Sequence, residues 1–224
     1  MQMQRRQALL ACAATALAGC AATSPQTAAT AQPDSDAPET PATPATGFEA
    51  PPSYAEALQR WRSVDEVNAW IGARFEYDMA RALRLSETQR QQNGRLPIIA
   101  PAAFFETPRG VCVDLARFGV ETLRSIDPAA KPLYLMIEFD PLQINGNTLR
   151  RHWVVAFQRE GRTWVFGDSK RPGHIAGPYN DLQTYIADYA RYRGRSIAAH
   201  RELPSYERQM RRQAVKETRQ QADS

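Results

Sequence analysis

A single cysteine carries most of the chemical information in this chain. The sequence holds three cysteines, but Cys12 and Cys20 lie in the N-terminal 20 residues, so Cys112 is the thiol that remains for a folded domain. His152 follows it on a predicted strand, and Asp168 lies on the next one. A thiol, an imidazole and a carboxylate are the groups of a nucleophile, a general base and an acid that orients the base. These residues therefore predict acyl transfer through a thiol.

The positions around Cys112 also point to a reactive site. A helix is predicted to begin at Cys112, and the unpaired N–H groups and positive dipole end of a first helical turn favour a thiolate. The N–H of Cys112 is a predicted donor to the oxyanion. Gly110 removes a Cβ where a substrate must approach the backbone, and Trp153 is a second predicted substrate contact, although a core position explains it as well. Asp114 is predicted to be structural, accepting N–H bonds in the first turn.

The turn between the two strands decides whether the acid meets the base. A three-residue loop, Arg159-Glu160-Gly161, pairs Gln158 with Arg162 and makes His152 and Asp168 cross-strand neighbours. A two-residue Glu160-Gly161 turn shifts the register by one and places their side chains on opposite faces. The turn chemistry allows both, and the triad hypothesis needs the first. On that register the face that packs on the Cys112 helix would carry Val154, Ala156, Trp164 and Phe166.

Hydrophobic periodicity predicts an α+β domain in which a cysteine-bearing helix is followed by an antiparallel sheet. Helices are expected at 53–61, 64–85, 112–125, 182–192 and 204–220. Strands are expected at 133–139, 151–158 and 162–167, and the Gly- and Pro-containing stretch 89–103 is expected to be a loop.

Four short motifs resemble the transglutaminase-like superfamily, a papain-related group. They are Phe104-Phe105-Glu106-Thr107, Gly110-Val111-Cys112-Val113-Asp114-Leu115-Ala116, His152-Trp153 and Gly167-Asp168. The spacings also fit, with 40 residues from the cysteine to the histidine and 16 from there to the aspartate. The resemblance implies a papain-like core with a catalytic triad of Cys112, His152 and Asp168. It also implies acyl transfer from an amide through a thioester, with water or an amine as acceptor.

The N-terminus resembles a bacterial lipoprotein signal. Arg5 and Arg6 precede an apolar run at 8–18 that is too short to span a bilayer as a helix. The run ends in Leu17-Ala18-Gly19-Cys20, and in lipoproteins the signal is removed before such a cysteine, which then carries the lipid. The resemblance implies a signal peptide at 1–19, lipidation of Cys20 and a location in the bacterial cell envelope, on the periplasmic face of the outer membrane. A secreted protein that loses Cys20 with its signal is the alternative.

The rest of the chain divides into a tether and one domain. Residues 20–47 are mostly Ala, Thr, Pro, Ser, Gln and Asp without apolar periodicity, which predicts disorder. Residues 48–224 are long enough for one core, and a basic helix is expected at their C-terminal end. The net charge of +4 and the pI near 9.1 indicate anionic surroundings such as lipid headgroups or wall polymers. Nucleic acid is not an expected partner of an exported lipoprotein.

Three functions fit these residues. The first is a thiol hydrolase, a protease or amidase, that cleaves an amide in a peptide or protein through a thioester on Cys112. The second is transamidation by the same triad, which joins the acyl group to an amine. The third is a domain without activity that binds a peptide or scaffolds a complex. No cofactor or metal is expected, because a His-Glu-x-x-His motif and paired cysteines are missing, although the same three residue types could bind zinc.

Overall fold

A computed structural model of the chain describes residues 39–41, 49–170 and 173–207. The predicted signal peptide at 1–19, Cys20 and most of the expected helix at 204–220 lie outside these residues. Within them, no helix is long and apolar enough to cross a membrane.

The centre of the domain is a six-stranded antiparallel sheet, which confirms the α+β class. Its strands are β1 (Glu39–Pro41), β4 (Leu133–Ile144), β5 (Asn147–Arg159), β6 (Arg162–Phe166), β7 (His174–Tyr179) and β8 (Ile197–Leu203). Their order is β1-β7-β6-β5-β4-β8. Two further short strands, β2 (Glu76–Tyr77) and β3 (Arg109–Gly110), pair in parallel beside the sheet.

Strand β1 lies within the stretch 20–47 that is predicted to be disordered. Glu39, Thr40 and Pro41 pair with Ala176, Ile175 and His174 of β7. An edge strand offers unpaired main-chain groups to any extended segment, so this pairing needs no apolar pattern in the added strand.

Seven helices surround the sheet in the described part of the chain. They are α1 (Tyr54–Arg60), α2 (Val64–Arg74), α3 (Met79–Arg84), α4 (Glu87–Asn93), α5 (Pro101–Glu106), α6 (Cys112–Ile126) and α7 (Leu182–Arg193). Side chains of Ser53 and Asp181 cap α1 and α7 by accepting main-chain N–H bonds from the first turn. The helices predicted at 53–61, 112–125 and 182–192 are confirmed.

One prediction in the first half of the domain is wrong, and another is confirmed only in part. The single helix expected at 64–85 is divided, because Glu76 and Tyr77 leave the helix to pair with Arg109 and Gly110. Asp78 then starts α3 as its N-cap, accepting from the main-chain N–H of Arg81 at 2.9 Å. The stretch 89–103, expected to be a loop, is one only at 94–100, because the residues before it belong to α4 and those after it to α5.

The sheet has a hydrophobic core on each face. On one face α6, α2 and α5 pack on the sheet in a cluster that includes Phe104, Leu115, Phe118, Met136, Trp153, Val155, Phe157 and Phe166. On the other face α7 packs in a cluster that includes Leu135, Ile137, Val154, Ala156, Val165, Tyr179, Tyr185 and Tyr189. Neighbouring residues of β5 therefore point into different cores, as the pleat of a strand requires.

The hairpin adopts the second of the two registers that the turn sequence allows, not the one that the triad hypothesis requires. Arg159 pairs with Arg162 and Val155 with Phe166, so the turn is the two-residue Glu160-Gly161. Both turn residues have positive φ, 54° and 69°, and such turns match the right-handed twist of the strands they join. The side chains of β5 therefore point to the opposite faces of the sheet from those that the three-residue loop would give. Val154 and Ala156, expected to pack on the Cys112 helix, contact the α7 layer instead.

Candidate active site

Buried hydrogen bonds to Asp114 fix the start of α6, where Cys112 is the first residue. The side chain of Asp114 is fully buried and accepts two bonds from Arg81, from Nε at 2.7 Å and from Nη2 at 2.8 Å. It also accepts from the main-chain N–H of Val111 at 3.0 Å and of Ile99 at 2.9 Å. These bonds confirm the structural role predicted for Asp114. They join α3, the chain before α5 and the start of α6 around the cysteine.

Gly110 has a packing role next to this cluster. A Cβ at that position would lie 3.0 Å from Phe104 Cε2 and 3.1 Å from Asp114 Oδ2. The carbonyl of Gly110 accepts the main-chain N–H of Asp78 at 2.8 Å. Close packing is thus sufficient reason for a glycine, and the substrate contact stays a prediction. Trp153, the other predicted contact, is 7% exposed and packs in the α6 core.

The sulfur of Cys112 lies in a buried position with two main-chain donors. The main-chain N–H groups of Trp153 and Val113 lower the pKa of the thiol and so favour a thiolate. Burial has the larger effect, and together with the carboxylates of Asp168 and Asp114 it raises the pKa of the thiol to about 12. The expected preference of the first helical turn for a thiolate is therefore outweighed. At neutral pH Cys112 carries its proton.

A glycine turn brings His152 and Asp168 together despite the shifted register. Strand β6 ends at Phe166, and Gly167, with φ of +99°, turns the chain out of the strand. The main-chain carbonyl of Asp168 then lies 2.7 Å from His152 Nε2. A carbonyl only accepts, so Nε2 carries the hydrogen and Nδ1 of the neutral ring holds the free electron pair.

Side-chain hydrogen bonds do not join the three residues of the predicted triad. Among the described residues, no hydrogen bond joins the Cys112 thiol to His152, and none joins the carboxylate of Asp168 to the imidazole. The carboxylate is nevertheless near enough to Cys112 for its charge to raise the pKa of the thiol. Asp168 therefore contacts the imidazole of His152 through its main chain, and the catalytic roles of the three residues stay a prediction.

Burial also sets the charge of the other two groups. It lowers the pKa of His152 to about 4, with a smaller contribution from the positive charge of Arg193. It raises the pKa of the Asp168 carboxyl to about 6, which Arg193 partly opposes. At pH 7 the imidazole is thus neutral and Asp168 is ionised.

Helix α7 packs against the imidazole of His152, and this contact was not predicted from the sequence. The ring of Tyr189 stacks on His152 with a centroid distance of 5.7 Å and an interplanar angle of 19°. Arg193, one turn later, places its guanidinium carbon 5.9 Å from the centre of the Tyr189 ring. The signal was present in the sequence, because Tyr185, Tyr189 and Arg193 recur every four residues and so share one face of the predicted helix.

A cavity of about 100 Å³ opens beside the thiol. Its lining includes Cys112, Trp153 and Tyr77 of β2, the last of which is 44% exposed. Burial and the charges of Cys112 and Asp168 raise the pKa of the Tyr77 phenol. The described residues contain no group of three or more His, Cys, Asp or Glu side chains placed to hold a metal ion.

Comparison with known proteins gives one result that matches the geometry. No curated protein matches the chain. Residues 56–199, more than half of its length, match the family described as the transglutaminase-like domain. The matched stretch contains α6 with Cys112, the strand with His152 and the turn with Asp168. The resemblance read from the four motifs is thereby confirmed, and the chain belongs to the transglutaminase-like domain family.

Proposed function

We propose that the protein is a thiol hydrolase that cleaves an amide through a thioester on Cys112. The observation that supports this most is that Asp168 lies near both other residues. Its main-chain carbonyl holds the neutral imidazole of His152, and its carboxylate is near enough to the buried Cys112 thiol to raise the pKa of that thiol. Family membership supports the same reaction class.

In the proposed reaction His152 acts first as a base and then as an acid. Nδ1 accepts the thiol proton as the sulfur of Cys112 attacks the amide carbon, and the resulting imidazolium gives that proton to the leaving amine. Water, deprotonated by the same nitrogen, then hydrolyses the thioester and releases the carboxylic acid and the thiol. The carboxylate of Asp168 stabilises the imidazolium while it exists.

Main-chain N–H groups would stabilise the negative charges that develop. The N–H bonds from Trp153 and Val113 strengthen as the sulfur loses its proton. The N–H of Cys112, in the first turn of α6, has no acceptor within the helix and is the proposed donor to the oxyanion.

The proposed resting state is a neutral pair, unlike the thiolate–imidazolium pair that the helix position alone favours. With a thiol pKa of about 12 and an imidazole pKa of about 4, transfer of the Cys112 proton to His152 is strongly unfavourable before a substrate binds. Proton transfer therefore accompanies attack on the substrate. A silent peptide-binding domain is the second candidate, and the buried protonated thiol is the observation that favours it.

Acylation with 4-nitrophenyl acetate tests this function without knowledge of the substrate. We expect a burst of one equivalent of nitrophenol and an acetyl adduct on Cys112 in the intact mass, neither of which Cys112→Ala should show. Loss of the base in His152→Ala should slow acylation by roughly 10²–10⁴-fold.

A histidine outside the site provides the matched control. His200 lies on β8 and pairs with Ile137, so His200→Ala should acylate at the wild-type rate. Equal rates in wild type and His152→Ala would leave the binding domain as the function. Adding a primary amine distinguishes hydrolysis from transamidation, because only a transamidase forms the acyl-amine product in preference to the acid.

We also propose that the chain is exported and held at the cell envelope by a lipid on Cys20. This rests on the lipoprotein-like run Leu17-Ala18-Gly19-Cys20. The substrate would then be a peptide or protein of the envelope.

A further inference from the structure

A buried ion pair fastens Lys170 to helix α7. The ammonium of Lys170 lies 2.9 Å from Oδ2 of Asp188, and the two side chains are only 1% and 3% exposed. The hydroxyl of Tyr179 donates to the same oxygen at 2.7 Å. Separating such a pair leaves a charge in a position that water does not reach, which is strongly unfavourable. Lys170 is therefore held on α7 by its side chain.

The main chain of Lys170 is fastened to the same helix. Its carbonyl accepts a hydrogen bond from the hydroxyl of Tyr192 at 3.0 Å. Tyr192 comes four residues after Asp188, so the two side chains lie on the same face of α7. Lys170, Asp188 and Tyr192 together are called the Lys170 anchor below.

The Lys170 anchor lies close to Asp168 along the chain. Two residues of chain span at most about 7 Å, so Asp168 cannot move far while Lys170 stays on α7. At its other end this segment leaves β6 through Gly167, whose φ is +99°. Ser169, inside the segment, is fully buried. These constraints hold the main-chain carbonyl of Asp168 at 2.7 Å from Nε2 of His152.

Two contacts of the imidazole are thus set from the same part of α7. Tyr189, whose ring stacks on His152 with a centroid distance of 5.7 Å, directly follows Asp188 in the helix. The carbonyl of Asp168 is held through Lys170, which pairs with Asp188. The helix therefore locates both the ring and the acceptor of its hydrogen.

From these contacts we propose that the Lys170 anchor positions His152 for the reaction. By holding the Asp168 carbonyl against Nε2, the anchor keeps the hydrogen of the neutral ring on that nitrogen and the free electron pair on Nδ1. Nδ1 is the atom that takes the thiol proton in the proposed hydrolase, so this proposal rests on that function. The three residues of the anchor are positioning residues, which act on the reaction through His152.

Nitrogen-15 NMR of the histidine rings tests the positioning without any substrate. The chain has three histidines, and the signals of His152 are those missing from His152→Ala. At pH 7 the wild-type ring should give two well-separated signals, one from Nε2 with its hydrogen and one from Nδ1 without. Lys170→Met/Asp188→Asn removes both charges of the pair at once and so leaves neither of them unpaired in the core. In this variant the two signals should move towards each other, because the hydrogen then exchanges between the two nitrogens.

The rate of acylation by 4-nitrophenyl acetate is the second readout. The double variant should react roughly 10- to 100-fold more slowly than the wild type, because a misplaced catalytic group loses rate. Arg159→Met/Asp65→Asn removes a 2.7 Å ion pair between α2 and the strand that carries His152. As the matched control, it should change neither the signals nor the rate. If the first variant does not fold, Tyr192→Phe removes a single hydroxyl and should change both readouts in the same direction by a smaller amount.

The two readouts separate this proposal from the proposed function. Unchanged signals in the folded anchor variants overturn the positioning role, and so does a change in the signals without any loss of rate from an active wild type. In both cases the hydrolase proposal stands if the wild type is acylated on Cys112. If the signals converge but the wild type forms no acetyl adduct, the anchor still positions the ring and the hydrolase proposal fails.

Discussion

Cys112 and His152 both carry their neutral forms at pH 7 because each is buried. Cys112 and His152 are each 8% exposed, and burial is the largest influence on both pKa values. The helix position and the nearby main-chain N–H groups lower the pKa of the thiol, but their effect is smaller than that of burial. Residue types and spacing can thus propose a nucleophile and a base, whereas their charge states depend on tertiary burial.

The alkylation rate of Cys112 should report this protonation state. Iodoacetamide reacts with the thiolate, so below a pKa of about 12 the rate should rise nearly tenfold per pH unit from pH 7 to 10 without a plateau. Free cysteine, with a pKa of about 8.5, should level off within the same range. Since His152 is neutral above a pKa of about 4, His152→Ala should keep the profile of the wild type.

A plateau below pH 8.5 in the wild-type protein, lost in His152→Ala, would contradict the neutral pair. It would show a thiolate–imidazolium pair in the resting site.

Among the elements, those that carry both an apolar repeat and a recognisable end were predicted correctly. Helix α6 ends at Ile126 before Asp127-Pro128, and α7 starts after the Asp181 cap, so both could be located from sequence. Strands β7 and β8 were missed. The first contains Gly177-Pro178, and the second has largely exposed or half-buried residues without a clear alternation.

The hairpin register shows where local sequence stops being decisive. Glu160-Gly161 is compatible with two turns, and the local sequence does not distinguish between them. In the structure the hairpin has the two-residue turn, and Asp168 still reaches His152 because Gly167 turns the chain after β6. A turn outside a regular strand has no periodicity from which to predict it.

The contact between α3 and the start of α6 should be a major source of stability. Arg81→Met leaves the fully buried carboxylate of Asp114 without its cation, and breaking such a pair typically costs about 3–5 kcal/mol. Arg60→Met breaks an exposed pair with Glu56 and should cost at most about 0.5 kcal/mol. Urea unfolding of both variants measures the difference. A cost below about 1 kcal/mol for Arg81→Met would show that the remaining N–H bonds are enough to hold Asp114.

At the scale of the whole molecule, one domain carries the site between cores on the two faces of a sheet. The thiol is reached from the α6 side, whereas the imidazole stacks on Tyr189 from the α7 side. Both cores must therefore be formed before the site exists. The family match extends from α1 to β8 and so includes both of them.

The proposed anchor predicts how the whole protein distributes in cells. Expressed in a Gram-negative host, the wild-type protein should enter the membrane fraction and carry a lipid-modified N-terminus in mass spectra. Cys20→Ser removes the acceptor of the lipid and should shift the protein to the soluble or unprocessed fraction. Cys12→Ser, in the same N-terminal segment, is the matched control and should leave the distribution unchanged. If both variants distribute as the wild type does, the lipid anchor is wrong.

The burial of Cys112 has a further consequence for its resistance to oxidation. Peroxides and disulfides react with thiolates, and at pH 7 a pKa of about 12 leaves a thiolate fraction of about 10⁻⁵, several thousandfold below that of a free cysteine. Cys112 is also the one cysteine in the described residues, so no partner there can capture it in a disulfide. The burial that raises the pKa of this thiol therefore also protects it from oxidation, and it would do so in the oxidising compartment to which we propose that the protein is exported.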